Sequence, residues 1–474
     1  MAYHTQHSRL KEATNVALKD SLHGLKRRGA SVVRVGTFFS GTEVARHSME
    51  TCFALWGQLY NVTLEVEHVF SIEHTGWIRD FIRQHFKPRH LFDCVLKMAA
   101  DGWRGTDLLT GQRGVSLPDI DILFAGFECD DASTLNTSRG MSGNEVEFGL
   151  GRTGGTGLVT LHFVVSRRCR ALLENLKTIG AANIRFIIKF CNEHLMLVLC
   201  PMMSAIRYGA PMRRERQWFY ITPVTSPIDQ LAEEYEPPAW EVKFFDTLTC
   251  MQIEPIPLAD FLLPEDDNGL AAHIARCGSA EPTEQTDKDR YKQDHVTMYV
   301  EAGLLWPPRL PTWFMDRLGY LTARYREVAW YYVCLARRQA QEHEWVHDLN
   351  LSLGWNSTAK DSCPCATCLS TFLLTQRLRV ISWWEAMRMQ GWLVHRIDIL
   401  ALSQRTGMEL AGNAFSGFVI NPLLVASLAH DASWGQLEKC ADEGVDVSVH
   451  SSSDGVDSYD SGSDSEESEM LLLG

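Results

Sequence analysis

Asp121-Ile122-Leu123-Phe124-Ala125-Gly126-Phe127-Glu128-Cys129-Asp130-Asp131 is the stretch on which the fold turns. After Asp121 it holds a short uncharged apolar run, the pattern of a parallel strand buried on both faces. The run breaks at Gly126 and presents a thiol, Cys129, just beyond the strand's carboxyl end. In open α/β sheets that is where ligands and chemistry sit, and a thiol there is a candidate nucleophile. The competing reading is one more inert buried cysteine among thirteen.

Upstream, residues 31–39 form a β-branched and aromatic strand that runs into Phe38-Phe39-Ser40-Gly41-Thr42 and then a helical stretch over 43–56. Strand, small-residue turn and helix open a doubly wound, nucleotide-binding fold. A second strand, 65–72, ends in Glu73. An acid at that place suits a ribose diol, because two hydroxyls can donate to one carboxylate. A third short strand is predicted through Asp93-Cys94-Val95. Beyond Cys129 the chain turns rich in glycine, serine and threonine over 136–157, which predicts a long binding loop or lid, or a disordered insertion. A helix over 158–173 is expected to lead to Glu174-Asn175, followed by strands over 184–190 and 195–199. Tyr208-Gly209-Ala210-Pro211-Met212-Arg213-Arg214-Glu215-Arg216 then enters a strand at 217–221. The spacing of Arg214 and Arg216 places both guanidiniums on one strand face, aimed at one carbonyl or anion.

The second half is less regular. Residues 222–300 are proline-rich and acidic in places. Helix is expected over 313–345, where Arg317, Arg324, Arg326, Arg337 and Arg338 interleave with Trp330, Tyr331 and Tyr332. That pattern suits phosphate and base contact, or equally an amphipathic helix with solvated arginines. Cys363-Pro364-Cys365-Ala366-Thr367-Cys368 has three thiols where structural zinc needs four ligands, so no metal is expected there. A helix over 379–390 carries Trp383, Trp384 and Arg388. Gly412-Asn413-Ala414 precedes a last helix at 418–430.

Charge is unevenly placed. Of the net −14, the segment 442–474 supplies ten acidic residues and no Lys or Arg, leaving −4 on the other 441 residues. The acidity is the tail's, and it does not exclude a nucleic-acid partner for the body. The cysteines are odd in number and scattered, and there is no secretory h-region, so a reducing intracellular setting is expected, nuclear if the source is a eukaryote. The longest apolar run, 195–203, is about half of what spans a bilayer, so no membrane partner is expected.

In order, these pieces resemble the cytosine-5 DNA methyltransferase family over roughly 32–221 and 376–430. Ala125-Gly126-Phe127-Glu128-Cys129 is similar to its Gly-Phe-Pro-Cys-Gln loop, and Glu174-Asn175-Leu176 to its Glu-Asn-Val. Residues 209–216 are similar to its Gly-x-Pro-Gln-x-Arg-x-Arg. Arg379-Val380-Ile381-Ser382-Trp383-Trp384-Glu385, with Arg388 and Gly391, is similar to its Arg-x-Leu-Thr-x-x-Glu-x-x-Arg-x-x-Gly.

The resemblance implies an α/β fold, a Rossmann-like doubly wound sheet with an inserted target-recognition domain. It implies a core at 31–221, a recognition region at 222–375 and core completion at 376–440; composition sets a polar arm at 1–30 before them and an acidic, disordered tail at 441–474 after them. The resemblance also implies S-adenosylmethionine held by Phe39, Ser40, Gly41, Thr42, Glu73, Asp93, Cys94, Asn413 and Ala414. It implies a flipped cytosine from duplex DNA, attacked at C6 by Cys129, protonated at N3 by Glu174 and steadied by Arg214 and Arg216. RNA is the alternative substrate, and a catalytically impaired binding protein the alternative class.

The chain departs from the family at named places. Glu128 stands where the family has proline, and Asp130 and Met212 where it has glutamine. Thr37 and Glu43 stand where the cofactor turn has an acid and a glycine. Glu43 is expected to face the cofactor's carboxylate and weaken its affinity.

Overall fold

The computed structural model describes residues 2–27, 31–39, 41–127, 145–149, 151–279, 289–339, 343–351, 353, 357–392 and 397–436. Ser40, Glu128, Cys129, Asp130, residues 136–140 and the 441–474 tail lie outside the described residues.

The centre is an eight-stranded sheet. Its strands are β1 (Val32–Phe38), β2 (Glu65–Ile72), β3 (His90–Phe92), β4 (Ile122–Ala125), β5 (Arg170–Leu176), β6 (Met196–Leu199), β7 (Met202–Ser204) and β8 (Glu215–Pro223). The order is β3-β2-β1-β4-β5-β8-β6, with β7 beside β8. β1 to β5 pair in parallel, whereas β8 is antiparallel to β5, β6 and β7. This is the α/β, doubly wound architecture expected. The order reverses at β1, which puts the crevice for a ligand beside the carboxyl ends of β1 and β4.

Strand periodicity divides the core in two. Ile122, Phe124 and Leu172 face one apolar layer, while Leu123, Ala125, Ala171 and Leu173 face the other. The first layer is covered by α1 (Ala2–Ser8), α2 (Glu12–Arg27), α3 (Val44–Tyr60) and the apolar helix Gly417–His430. The second is covered by Val95–Ala100, Gly151–Arg167 and Ala181–Glu193. Between Gln404 and His430 the chain is long and apolar enough to cross a bilayer, but its most apolar window is 94% buried inside the protein. It is thus enclosed by other helices rather than presented to lipid.

Several local expectations are corrected. The amino-terminal arm is not a solvated segment: Leu18, Leu22 and Leu25 are fully buried, and Gln6 donates to the carbonyls of Tyr208 (2.7 Å) and Phe418 (3.0 Å). The third strand ends at Phe92, so Asp93 and Cys94 follow it and Val95 starts a helix. The helix expected over 158–173 runs instead from Gly151 to Arg167, and Glu174 lies within β5. Residues 184–190 belong to the helix Ala181–Glu193, with Asn183, Ile187 and Cys191 at helical spacing on its buried side.

The region 222–375 is two pieces. Phe244, Leu248, Met251, Leu258 and Leu262 join the first core layer. From Tyr299 onward a separate cluster forms, containing Phe314, Val328, Leu349 and Leu373. It packs beside β9 (Trp345–Asp348), β10 (Thr358–Lys360), β11 (Phe372–Leu374) and β12 (Arg379–Val380), a four-stranded sheet in the order β10-β9-β11-β12. Its arginines are largely engaged within the fold. Arg326 donates to the carbonyls of Gly319 and Leu321, Arg338 to those of Ala302 and Gly303, and Arg337 lies 3.9 Å over the Trp313 ring. Arg324 donates to the Asn350 carbonyl. Four of the five are thus tied to carbonyls or a ring of the same region, while Arg317 is exposed.

Candidate active site

Residues of the candidate cofactor half lie around the carboxyl ends of β1, β2 and β3. After β1 the backbone enters the left-handed region at Phe39 (φ 52°), Gly41 (57°) and Glu43 (53°). Only glycine adopts that region freely, so the turn is held by its surroundings. Phe39 N donates to Ile72 O at 3.0 Å, which ties the turn to the end of β2. A Cβ built on Gly41 would stand 3.9 Å from the Asn413 Cβ, so the carboxyl-terminal Asn413-Ala414 segment closes against this turn. Thr42 is fully buried, and its hydroxyl has no hydrogen-bond partner among the described residues.

Glu43, expected beside the cofactor's carboxylate, has no exposed surface there. It is 0% exposed and turned into the sheet, where Oε1 accepts from Thr37 Oγ1 (2.9 Å) and Ser71 Oγ (2.8 Å). His68 Nε2 stands 3.5 Å from Oε2. Glu73, just past β2, is 4% exposed and accepts from Thr75 N at 2.9 Å. Burial pushes its carboxyl above the ordinary range, against the Thr75 hydrogen bond. Asp93 is half-exposed and paired with Lys97 at 3.2 Å, and Cys94 is the residue before the helix Val95–Ala100. A buried acid at Glu73, an orphaned buried hydroxyl at Thr42 and a left-handed turn with Gly41 at its centre fit a nucleoside-bearing cofactor.

The target half is built where β5 meets β8. Glu174 sits on β5 opposite Trp218 of β8 and is 8% exposed. Arg216 Nε stands 2.9 Å from Glu174 Oε1, and Arg214 Nη2 3.5 Å from the same oxygen. Arg214 also donates to the Gly412 carbonyl at 3.0 Å. The two arginines therefore converge on Glu174 rather than on an open surface. Next to it, Asn175 Nδ2 donates to Phe127 O at 3.1 Å. That bond fixes the backbone two residues before Cys129, which itself lies outside the described residues. Gly126 leaves room for Phe415, whose ring would be 2.9 Å from any Cβ there.

The thiol segment 363–368, taken from sequence as a failed metal knuckle, lines this site. Cys363 N donates to Pro211 O (2.6 Å) and Arg213 N to Cys363 O (2.9 Å), so the segment runs alongside 211–213. Cys365 Sγ lies 4.0 Å from both terminal nitrogens of Arg216. Cys368 Sγ donates to Asn413 Oδ1 at 2.9 Å. Gly412 is in contact with the segment: a Cβ there would fall 2.3 Å from the Thr367 carbonyl carbon. Among the described residues no group of three or more His, Cys, Asp or Glu is arranged to hold a metal. Met212, buried and bonded by Gln390 Nε2 at 3.3 Å, takes a packing role behind the arginines. The Arg379–Glu385 pair is structural: a two-pronged buried contact at 2.8 and 2.9 Å, with Glu385 also closing a capping box on Ser382.

No protein-family model matches the chain. It is 23% identical over 446 residues to the DNA (cytosine-5-)-methyltransferase DMT5 of Cryptococcus neoformans var. grubii. That alignment covers 87% of this chain but only 18% of the relative, so the chain spans under a fifth of that protein's length. Similar solved structures include the Dnmt2 methyltransferase of S. pombe (10% identity, TM-score 0.42, covering 83% of this chain and 97% of that one). Another is a putative DNA modification methyltransferase encoded within an E. coli prophage (14% identity, TM-score 0.45, covering 83% of this chain and 98% of that one). With its motifs in the order of that family and this relative matched across most of its length, the chain is similar to the cytosine-5 methyltransferases at low identity.

Proposed function

We propose that the chain transfers a methyl group from S-adenosylmethionine to C5 of cytosine in duplex DNA through a covalent adduct with Cys129. The observation that carries the reading is the Glu174 constellation. One carboxylate is gripped by Arg214 and Arg216, and its neighbour Asn175 ties down the segment that leads to Cys129. A thiolate adding to C6 makes C5 enamine-like, and protonation at N3 makes that addition feasible. The resulting C5 carbon attacks the methyl group, the C5 proton passes to solvent, the S–C6 bond breaks to release the thiolate, and the N3 proton returns to Glu174. The cofactor supplies an electrophilic methyl on a sulfonium. Glu73 would take the ribose hydroxyls, the turn at Phe39 to Glu43 would take the rest of the nucleoside, and Asn413-Ala414 would close over it. Arg214 and Arg216 would steady the charge that develops on the ring while Glu174 delivers its proton. A stacked base cannot present C6 to a thiol, so the reading includes base flipping, and with it a nuclear setting in a eukaryote.

The test uses duplex DNA carrying 5-fluorocytosine, from which fluorine cannot leave as the C5 proton does. Wild-type protein with S-adenosylmethionine should form a stable adduct, and Cys129→Ser should not. Adduct formation on a tRNA substrate alone would move the reading to RNA. Cofactor and DNA binding without an adduct at any pH would make the chain a binding protein that has lost the reaction, the outcome Glu128 beside the thiol would explain.

A further inference from the structure

Glu43 is a buried acid in a place where neither burial nor backbone favours it. It is the only residue between Thr42 and α3, fully enclosed and in the left-handed region. What holds it is its own carboxylate, which binds the end of β1 through Thr37 and the end of β2 through Ser71. Both hydroxyls donate to Oε1. Oε2 has no hydrogen-bond partner among the described residues and stands 3.5 Å from His68 Nε2. Burial holds His68 below its ordinary range, so it is neutral at pH 7 and no counter-cation. The neighbouring cation, Arg46, is paired with Glu50. Glu43 also contributes to the upward shift of Glu73, so its charge is felt within the same half-site.

A buried carboxylate without a cationic partner is costly in the free protein and is relieved by a cation bound nearby. The methyl donor is such a ligand: it carries a sulfonium, which methyl transfer converts into the neutral thioether of S-adenosylhomocysteine. We propose that Glu43 is a positioning residue that lays a fixed negative charge beneath the cofactor turn, and that this charge selects the cationic donor over the neutral product. The inference rests on the cofactor reading above. It assigns to this chain a device made from its own residues, with Thr37 relinquishing the acid and Glu43 returning it from across the turn.

The test is calorimetric titration of S-adenosylmethionine, S-adenosylhomocysteine and sinefungin, which has an ammonium in place of the sulfonium. Glu43→Gln keeps the shape and removes the charge. It should weaken both cationic ligands by about tenfold or more, while the neutral product changes by less than about threefold. Thr37→Asp/Glu43→Gln, which returns a carboxylate to the same spot, should restore the preference. Melting curves of each variant establish that it is folded, and the double variant serves if Glu43→Gln is not. Equal weakening of all three ligands, or no change in any, overturns the proposal and leaves Glu43 a structural residue. Wild-type protein that binds none of the three would instead sink the cofactor reading, and the proposal with it.

Discussion

Arg216 Nε lies 2.9 Å from Glu174 Oε1, and Arg214, 3% exposed, reaches the same oxygen at 3.5 Å. The acid that should serve the base is thus engaged by both of the cations that should serve it. In the free protein the three side chains form one ion cluster, and a base entering the site must exchange its own edge for part of that cluster. Arg214 additionally binds the Gly412 carbonyl, so disturbing Glu174 is felt at the carboxyl-terminal closure as well.

Glu174→Gln should therefore damage stability and activity together. Removing one partner of a buried ion cluster leaves charge uncompensated, at a cost of roughly 3 kcal/mol or more. Methyl transfer should fall by about a hundredfold or more, since the amide cannot supply a proton. Thermal melting and single-turnover transfer measured on the same preparation check both. Unchanged transfer would remove Glu174 from the chemistry.

Asn175→Ala should lose activity through position alone. Its bond to Phe127 O is buried, and removing the donor should cost about 1–2 kcal/mol. The effect should fall on the adduct-forming rate and leave cofactor affinity unchanged, because Asn175 stands on the target half. Equal loss of cofactor affinity would show that the two halves are not separable in this way.

Gly412→Ala sets two effects against each other. Alanine in a helix is favoured over glycine by about 1 kcal/mol. Here its Cβ would collide with the backbone of Thr367 and Cys368 at 2.3 and 2.4 Å, and neither atom can swing away. Overpacking of this kind costs about 1–3 kcal/mol, so the net change should be destabilising. It should also expose Cys365 and Cys368 to a thiol reagent, readable as faster labelling by mass spectrometry. A variant as stable as wild type with unchanged labelling would contradict the packing described.

Cofactor affinity should depend on pH through Glu73. Its folded pKa is raised by burial, so in the free protein the stability it contributes is present below the ordinary carboxyl value of about 4.3 and is lost as pH rises through the raised one. Ribose hydroxyls donate to the charged form, so binding must release the proton. The melting-temperature gain on adding S-adenosylmethionine should shrink as pH falls from neutrality into the raised Glu73 range. Glu73→Gln should bind weakly and flatten the profile. A wild-type gain independent of pH would show that Glu73 does not meet the cofactor.

Some of this protein was written locally. The strands 32–38 and 122–125, the turn at Gly41 and the order of the motifs are legible because each depends on a few consecutive residues and their periodicity. β5 was not legible as a strand, because residues 170–175 are all buried and a strand buried on both faces loses its alternation. Ile184–Phe190 looked like a strand from its β-branched residues, yet Ile187 and Cys191 are buried one helical turn apart. The arm looked solvated because Gln6 is polar. Only docking beside Tyr208 and Phe418 gives that amide its partners, and those lie some two hundred and four hundred residues away. The same holds at the site. Sequence named Glu174, Arg214 and Arg216, but that one carboxylate oxygen meets both arginines depends on the antiparallel register of β8 on β5. That Cys365 joins them, and that Glu43 turns inward to Thr37 and Ser71, depends on long-range packing. No spacing rule encodes such contacts, because their partners are set by the closing of the fold and not by the neighbouring chain.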